Sequence, residues 1–285
     1  MHTWDFKGSF MKKLWKVPVL LIAAIISACS TIEEDRSLCP CWYTIDLTEV
    51  DRSVQNLYLW IFNQDGTMIC NDTLQSGSYG KYEVKLDKGE SYCYIWGNLI
   101  DSTILYNDHS YGSYFIKQDS CSSDPLFHYA KVLNTSGESG CDTVSLNKEY
   151  AQVNFTLKGE LKVKGQLVMD INMHTRGRYI HGGFVEGNNI IHTFPQRADG
   201  DSSLFRFKMM RQESFEDVTA TIAAVVDNEK FVVKHFPFGK WLVASGYDAR
   251  AQNLGDITME LDLALGLLSI KSDHWQSVLP VKIEM

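Results

Sequence analysis

Short runs with an apolar residue at every second position dominate this sequence. Val153, Phe155 and Leu157 alternate with Asn154, Thr156 and Lys158. Ile257, Met259, Leu261 and Leu263 alternate with Thr258, Glu260 and Asp262. Side chains leave a strand on alternate faces, so this pattern sets one face in a core and the other in water. Turn-forming clusters separate the runs. Asn63-Gln64-Asp65-Gly66 lies between Leu57–Phe62 and Met68-Ile69, and Asp227-Asn228-Glu229 lies between Thr219–Val226 and Lys230–Phe236. Both arrangements predict hairpins. Leu57, Leu59 and Ile61 alternate with Tyr58, Trp60 and Phe62, which predicts a strand apolar on both faces. Tyr82–Leu86 and Ser91–Trp96 add further strands. Residues 101 to 142 are less regular and predict loops with short strands or a helical turn. After residue 29 no amphipathic helix stands out. The expected class is all-β, with antiparallel sandwiches.

The 285 residues suit one large or two ordinary domains, and 45% hydrophobic content supplies real cores. Six cysteines beyond Cys29 all lie in the first half: Cys39, Cys41, Cys70, Cys93, Cys121 and Cys141. Together with the return of period-two patterning, this places a boundary near residue 149. The expected organisation is 1–28 leader, 29–41 acidic linker, 42–149 first sandwich and 150–285 second sandwich. An even number of cysteines in an exported chain permits disulfides, with 15 possible pairings for six. Structural zinc is a poor fit to the lone C-x-C of Cys39 and Cys41.

The export itself is read from the amino terminus. Lys12, Lys13 and Lys16 precede an uncharged run from Val17 to Ala28, too short to cross a bilayer core, which takes roughly 20 helical residues. Met11 opens a normal secretory signal, and residues 1–10 read as an extended start. Ile26, Ser27 and Ala28 before Cys29 resemble the lipobox of bacterial lipoproteins, with cleavage between Ala28 and Cys29. Diacylglycerol on the Cys29 thiol, with acylation of the freed amine, gives stable anchoring, because each buried methylene contributes about 0.8 kcal/mol. Glu33, Glu34 and Asp35 follow closely and resemble the surface-export signal of Bacteroidetes lipoproteins.

Catalytic chemistry is hard to find. His181-Gly182-Gly183-Phe184 resembles part of an esterase oxyanion loop, but no G-x-S-x-G elbow accompanies it, so a turn is the better reading. The eight histidines form no H-E-x-x-H or other ligand spacing. No metal site and no cofactor are expected, and the chain reads as a non-enzyme. A net charge of −8 argues against nucleic acid. Trp42, Trp60, Trp96, Trp241 and Trp275 are read as core fillers rather than as exposed sugar-stacking platforms.

The lipobox, the acidic linker and then SLCPCWYTIDL resemble the start of the FimB/Mfa2 family of Bacteroidetes fimbrial proteins. The strand Leu57–Phe62 followed by Asp65-Gly66, and Lys88-Gly89 followed by Tyr92-Cys93-Tyr94-Ile95-Trp96-Gly97-Asn98, match that family's pattern in order and spacing. The likeness is best over residues 26–100 and looser over 150–285. It implies two transthyretin-like sandwich domains and an outer-membrane, surface-exposed lipoprotein that anchors or initiates a fimbrium. It also implies other fimbrial subunits as partners, engaged by β-augmentation, with contacts to host or bacterial surfaces. The segment Val278–Met285 is expected to close its own sandwich rather than to be donated. The alternatives are a surface glycan-binding lipoprotein, marked by exposed aromatics, and a lipid-anchored enzyme, marked by a pocket of convergent polar groups.

Overall fold

The computed structural model describes residues 39–159, 164–199, 202–272 and 275–281. Strands fill most of it. The first half holds β1 (Cys41–Asp46), β2 (Asn56–Asn63), β3 (Met68–Gln75), β4 (Lys81–Leu86), β5 (Glu90–Gly97), β6 (Thr103–Tyr106), β7 (Tyr114–Lys117), β8 (Phe127–Asn134), β9 (Ser139–Thr143) and β10 (Asn147–Lys148). The second half holds β11 (Tyr150–Lys158), β12 (Gln166–Tyr179), β13 (Phe184–Thr193), β14 (Pro195–Asp199), β15 (Ser202–Met210), β16 (Thr219–Val226) and β17 (Glu229–Phe236). A short helix, α1 (Phe238–Ser245), then precedes β18 (Ile257–Asp262), β19 (Leu267–Ser272) and β20 (Trp275–Pro280).

In the first half, the sheet β4-β1-β9 faces the sheet β10-β8-β5-β2-β3. Tyr43, Ile45 and Leu47 from one sheet meet Leu57, Leu59, Ile61, Ile95 and Leu133 from the other. In the second half, β14-β15-β11-β18-β19-β20 covers a sheet built on the long strand β12. β13 runs along one edge of β12; β16 and then β7 run along the other, with β17 and β6 outside them. Val153, Phe155, Leu157, Ile171, Ile222, Met259 and Ile270 fill the space between the layers. Both predicted hairpins, β2–β3 and β16–β17, are present in the predicted register regions.

The two apolar faces of β2 serve two different cores. Leu57, Leu59 and Ile61 point into the first sandwich, while Trp60 and Phe62 join Tyr94, Trp96, Leu99, Phe115, Leu126, Ile180 and Met210. That third cluster is a seam between the halves, since Ile180 and Met210 come from the second. The irregular region supplies part of it. The hairpin β6–β7 leaves the first half and pairs through Tyr114, Phe115 and Ile116 with Tyr179, Arg178 and Gly177 of β12. Gly177 is needed at this crossing, because a Cβ there would stand 1.9 Å from the Phe115 carbonyl oxygen.

A buried ion cluster sits beside the seam. One Glu149 oxygen, Oε2, accepts from Arg178 Nη1 at 2.9 Å and from Arg211 Nε at 2.8 Å, and all three residues are buried. Arg178 also donates from Nη2 to the Gly182 carbonyl at 2.5 Å and lies 4.2 Å from the Phe184 ring centroid. Arg211 donates from Nη1 to Ala249 O at 2.7 Å and from Nη2 to Ala251 O at 2.9 Å. His181 to Gly183 thus form the turn of the β12–β13 hairpin, with Tyr179 N–H donating to Gly183 O at 2.8 Å. The carbonyl of Gly182 is committed to Arg178.

His128 stacks on Trp96 at 4.2 Å in the same region. Burial, with the Arg178 charge adding to it, pulls its imidazole down to about 3. Folded His128 therefore stays neutral where the unfolded chain, titrating near 6.5, takes up a proton. Stability must fall as pH drops through 6.5 toward the folded value, by about 1.4 kcal/mol per pH unit once the unfolded histidine is protonated. Urea midpoints at pH 6.5 and 5 should differ by roughly 1–2 kcal/mol more in the wild type than in His128→Phe. Equal pH slopes for the two proteins would contradict this account.

Three features depart from the expectations. First, each half contains one parallel pair, β1 with β9 and β11 with β18, within otherwise antiparallel sheets. Second, α1 was not expected. It lasts two turns, too few for a periodic signal, although Pro237 before it and Gly246 after it are start and stop signals. Gly246 has a φ of +86° and donates its N–H to Val243 O at 3.1 Å. Phe238, Trp241 and Leu242 of α1 enter the core, and the helix comes close to β16 and β20. Third, Cys39, Cys41, Cys70, Cys93, Cys121 and Cys141 are all free thiols. Register explains part of this. Ile61 of β2 stands between Cys70 of β3 and Cys93 of β5. Two strand spacings separate that pair by roughly 9–10 Å, beyond the ~7 Å that a disulfide spans.

Candidate subunit-docking edge

An unpaired strand edge offers a row of main-chain donors and acceptors to another chain. Natural sheets guard such edges with charge, brevity or a bulge. β4 carries Lys81, Glu83 and Lys85; β3 carries Asp72; β9 carries Asp142. β14 is interrupted by a bulge at Gln196. β17 exposes Phe231 and Val232, but it also has Lys230 bonded to Asp170 and a register shift opposite Ile222 and Ala223. β10 has two residues and β6 has four.

β20 has neither charge nor a bulge, although it ends in Pro280 and α1 comes close to it. Its six residues, WQSVLP, hold no charge and pair with β19 without a register shift. Among the described residues no strand pairs with its other edge. Val278 stands 58% exposed opposite Ser269, Leu267 is exposed opposite Pro280, and Leu279 packs against the core from the other face. Such an edge is a template for strand addition.

The residues singled out from sequence fall in different places. Ala28, Cys29, Glu33, Glu34 and Asp35 lie outside the described residues, as do residues 282–285 of the last segment. The described part of that segment, through Pro280, pairs with β19 of the same chain. Trp60 and Trp96 are fully buried and Trp241 nearly so, as expected for core fillers. Trp42 departs from that expectation. It is 55% exposed, with the Lys85 ammonium 4.5 Å from its ring centroid, because Tyr43 and Ile45 take the inward positions of β1. The side chain of Trp275 lies outside the described residues. Among the described residues no three His, Cys, Asp or Glu side chains gather as a metal site, and no helix is long and apolar enough to cross a membrane. The β20 edge itself was missed from sequence. Its alternation is readable, but an edge is defined by what fails to pair with it.

No protein-family model matches the sequence, and no curated protein matches it. Solved structures do match. The fimbrial anchor protein Mfa2 from Porphyromonas gingivalis superimposes with a TM-score of 0.63 at 11% identity, over 84% of this chain and 99% of that one. This chain has the Mfa2 fold. The Mfa2 fold recurs in a protein assigned to polysaccharide binding from Bacteroides thetaiotaomicron. There the TM-score is 0.61 and the identity 13%, over 84% and 98% of the two chains. It recurs again in a protein assigned as an adhesin from Bacteroides ovatus, with a TM-score of 0.58 and 12% identity over 85% and 96%. The resemblance read from the amino-terminal motifs and the Mfa2 fold therefore agree, and the all-β sandwich class is as expected.

Proposed function

We propose that this protein is a lipid-anchored fimbrial subunit that holds or initiates a fimbrium at the outer membrane. Lipid on Cys29 supplies the attachment, and Glu33, Glu34 and Asp35 direct the chain to the cell surface. The domains 42–149 and 150–285 form the docking module, and the next subunit adds along β20. The observation that carries this reading is the Mfa2 fold, matched along nearly the whole of the Mfa2 chain. The uncharged, bulge-free edge of β20 supports it, because main-chain pairing along an edge supplies affinity without a dedicated pocket. The linker supports it as well. The twelve residue-to-residue steps from Cys29 to Cys41 reach at most roughly 40 Å when extended, so the first sheet stays near the membrane.

Replacing Cys29 with Ser in the cell tests the reading. Cleavage and acylation require the thiol, so the variant should leave the outer-membrane fraction, and fimbriae should detach into the medium. Outer-membrane fractionation, palmitate labelling and electron microscopy read the result. A Cys29→Ser protein that remains processed and membrane-bound, with fimbriae still attached, would sink the proposal.

A further inference from the structure

We propose that a depression on the outer face of the second sandwich binds an acidic saccharide, a sugar bearing a carboxylate. It has a volume of about 440 Å³ and is lined by Ser122, Gln152, Asn154, Gln196, Arg206 and Lys208. Its origin lies in how β15 is covered. β14 pairs with β15 only from Ser202 to Phe205, and a register shift makes Gln196 the extra residue of a bulge. Bulges re-aim side chains and end pairing next to sites. Three residues further along, at Lys208, a loop replaces β14. The Lys208 N–H donates to Ser122 Oγ at 2.6 Å, and the Ser123 N–H donates to Lys208 O at 2.9 Å. The depression opens between these two coverings, beside Arg206.

The floor is ordered by strand register. Phe205, Phe207 and Met209 point into the core, so Arg206 and Lys208 point out. Arg206 stands opposite Asn154, and Lys208 opposite Gln152. Gln152 Nε2 donates to Phe207 O at 3.1 Å, which fixes the amide and leaves its oxygen as an acceptor. Guanidinium, ammonium, two further amides and a hydroxyl thus converge on one space.

Charge selects the ligand. Several cations elsewhere in the protein are neutralised: Lys148 by Asp256, Lys158 by Glu260, and Arg178 and Arg211 by Glu149. Among the described residues, the Arg206 and Lys208 side chains have no ion pair and no hydrogen bond, and no carboxylate lines the depression. Two adjacent unpaired cations repel each other, and a chain of net charge −8 has acids to spare. An anion is the missing partner. The planar fork of arginine matches a carboxylate with two parallel bonds. The amides can both donate and accept, as sugar hydroxyls require, while Ser122, whose proton goes to Lys208 O, keeps one lone pair to accept. The volume falls in the range of small-molecule sites and exceeds the need of a lone inorganic anion. The site is independent of the docking edge, because β11, β18 and β19 separate β15 from β20 in the sheet.

Titration calorimetry on the detergent-solubilised full chain with digalacturonic acid tests this. Saturable binding that weakens with salt is expected, with a loss of about tenfold or more in Arg206→Gln. The same loss should be absent in Lys158→Gln, a cation on the same sheet outside the depression. Because Arg206 is exposed, its variant should keep the wild-type melting temperature. Four results would overturn the proposal: no binding up to about 10 mM, unchanged affinity in Arg206→Gln, equal binding of the neutral digalactose, or equal binding of inorganic sulfate.

Discussion

Glu149→Ala should lose about 3–5 kcal/mol of folding stability, the range for breaking one partner out of a buried ionic cluster. The substitution strands two guanidinium groups, of Arg178 and Arg211, that share the single Glu149 Oε2 in a buried site. Neither can shed its proton to escape, since arginine remains charged in proteins. Their carbonyl partners at Gly182, Ala249 and Ala251 stay in place, but carbonyl dipoles do not replace a full negative charge. Glu149→Gln should fall between alanine and wild type, because its amide oxygen still accepts a hydrogen bond without offering charge. A more diagnostic variant replaces all three residues with apolar ones of similar size. Much of the lost stability should return, because burying ions costs more than burying hydrocarbon. Guanidinium-chloride midpoints measure each step. A loss below about 1 kcal/mol in Glu149→Ala would mean that water reaches the cluster.

Trp96→Ala should cost about 3–5 kcal/mol, whereas Trp42→Ala should cost about 0.5–1 kcal/mol. Trp96 is fully buried in the seam. It stacks on His128 at 4.2 Å, meets Phe115 edge-on at 4.8 Å, and donates Nε1–H to Ile180 O at 2.8 Å. Its removal leaves a cavity, an unpaired carbonyl and an exposed path to the Glu149 cluster, so the halves should also loosen against each other. Trp42 has only the Lys85 ammonium over an otherwise exposed ring. Thermal melts and limited proteolysis between residues 97 and 127 would compare the two. Similar losses in both variants would contradict the seam as described.

These two tryptophans mark a boundary of what local pattern can report. Both sit in alternating strands, and that pattern alone predicts core for both. Trp96 is core because β5, like β2, is covered on both faces. Trp42 is exposed because β1 is covered on one face only, and Tyr43 and Ile45 claim that face. The number of covered faces is a property of the assembled layers. The candidate sites divide in the same way. The lipid attachment proposed at Cys29 rests on a contiguous motif, which is legible without a fold. The β20 edge and the depression at Arg206 exist only through pairing that stops.

Strand content, the β2–β3 and β16–β17 hairpins and the double-faced burial of β2 follow from spacing of two and from adjacent turn residues. These are forces between near neighbours, so the amino-acid order is enough to specify them. The parallel pairs β1–β9 and β11–β18, the transfer of β6–β7 to β12, the separation of Cys70 from Cys93 by Ile61, and the gathering of Glu149, Arg178 and Arg211 arise between distant segments. They depend on which surfaces meet when the sheets pack. No local periodicity carries that information, because the same alternating strand can pair on either edge and in either direction at nearly equal local cost.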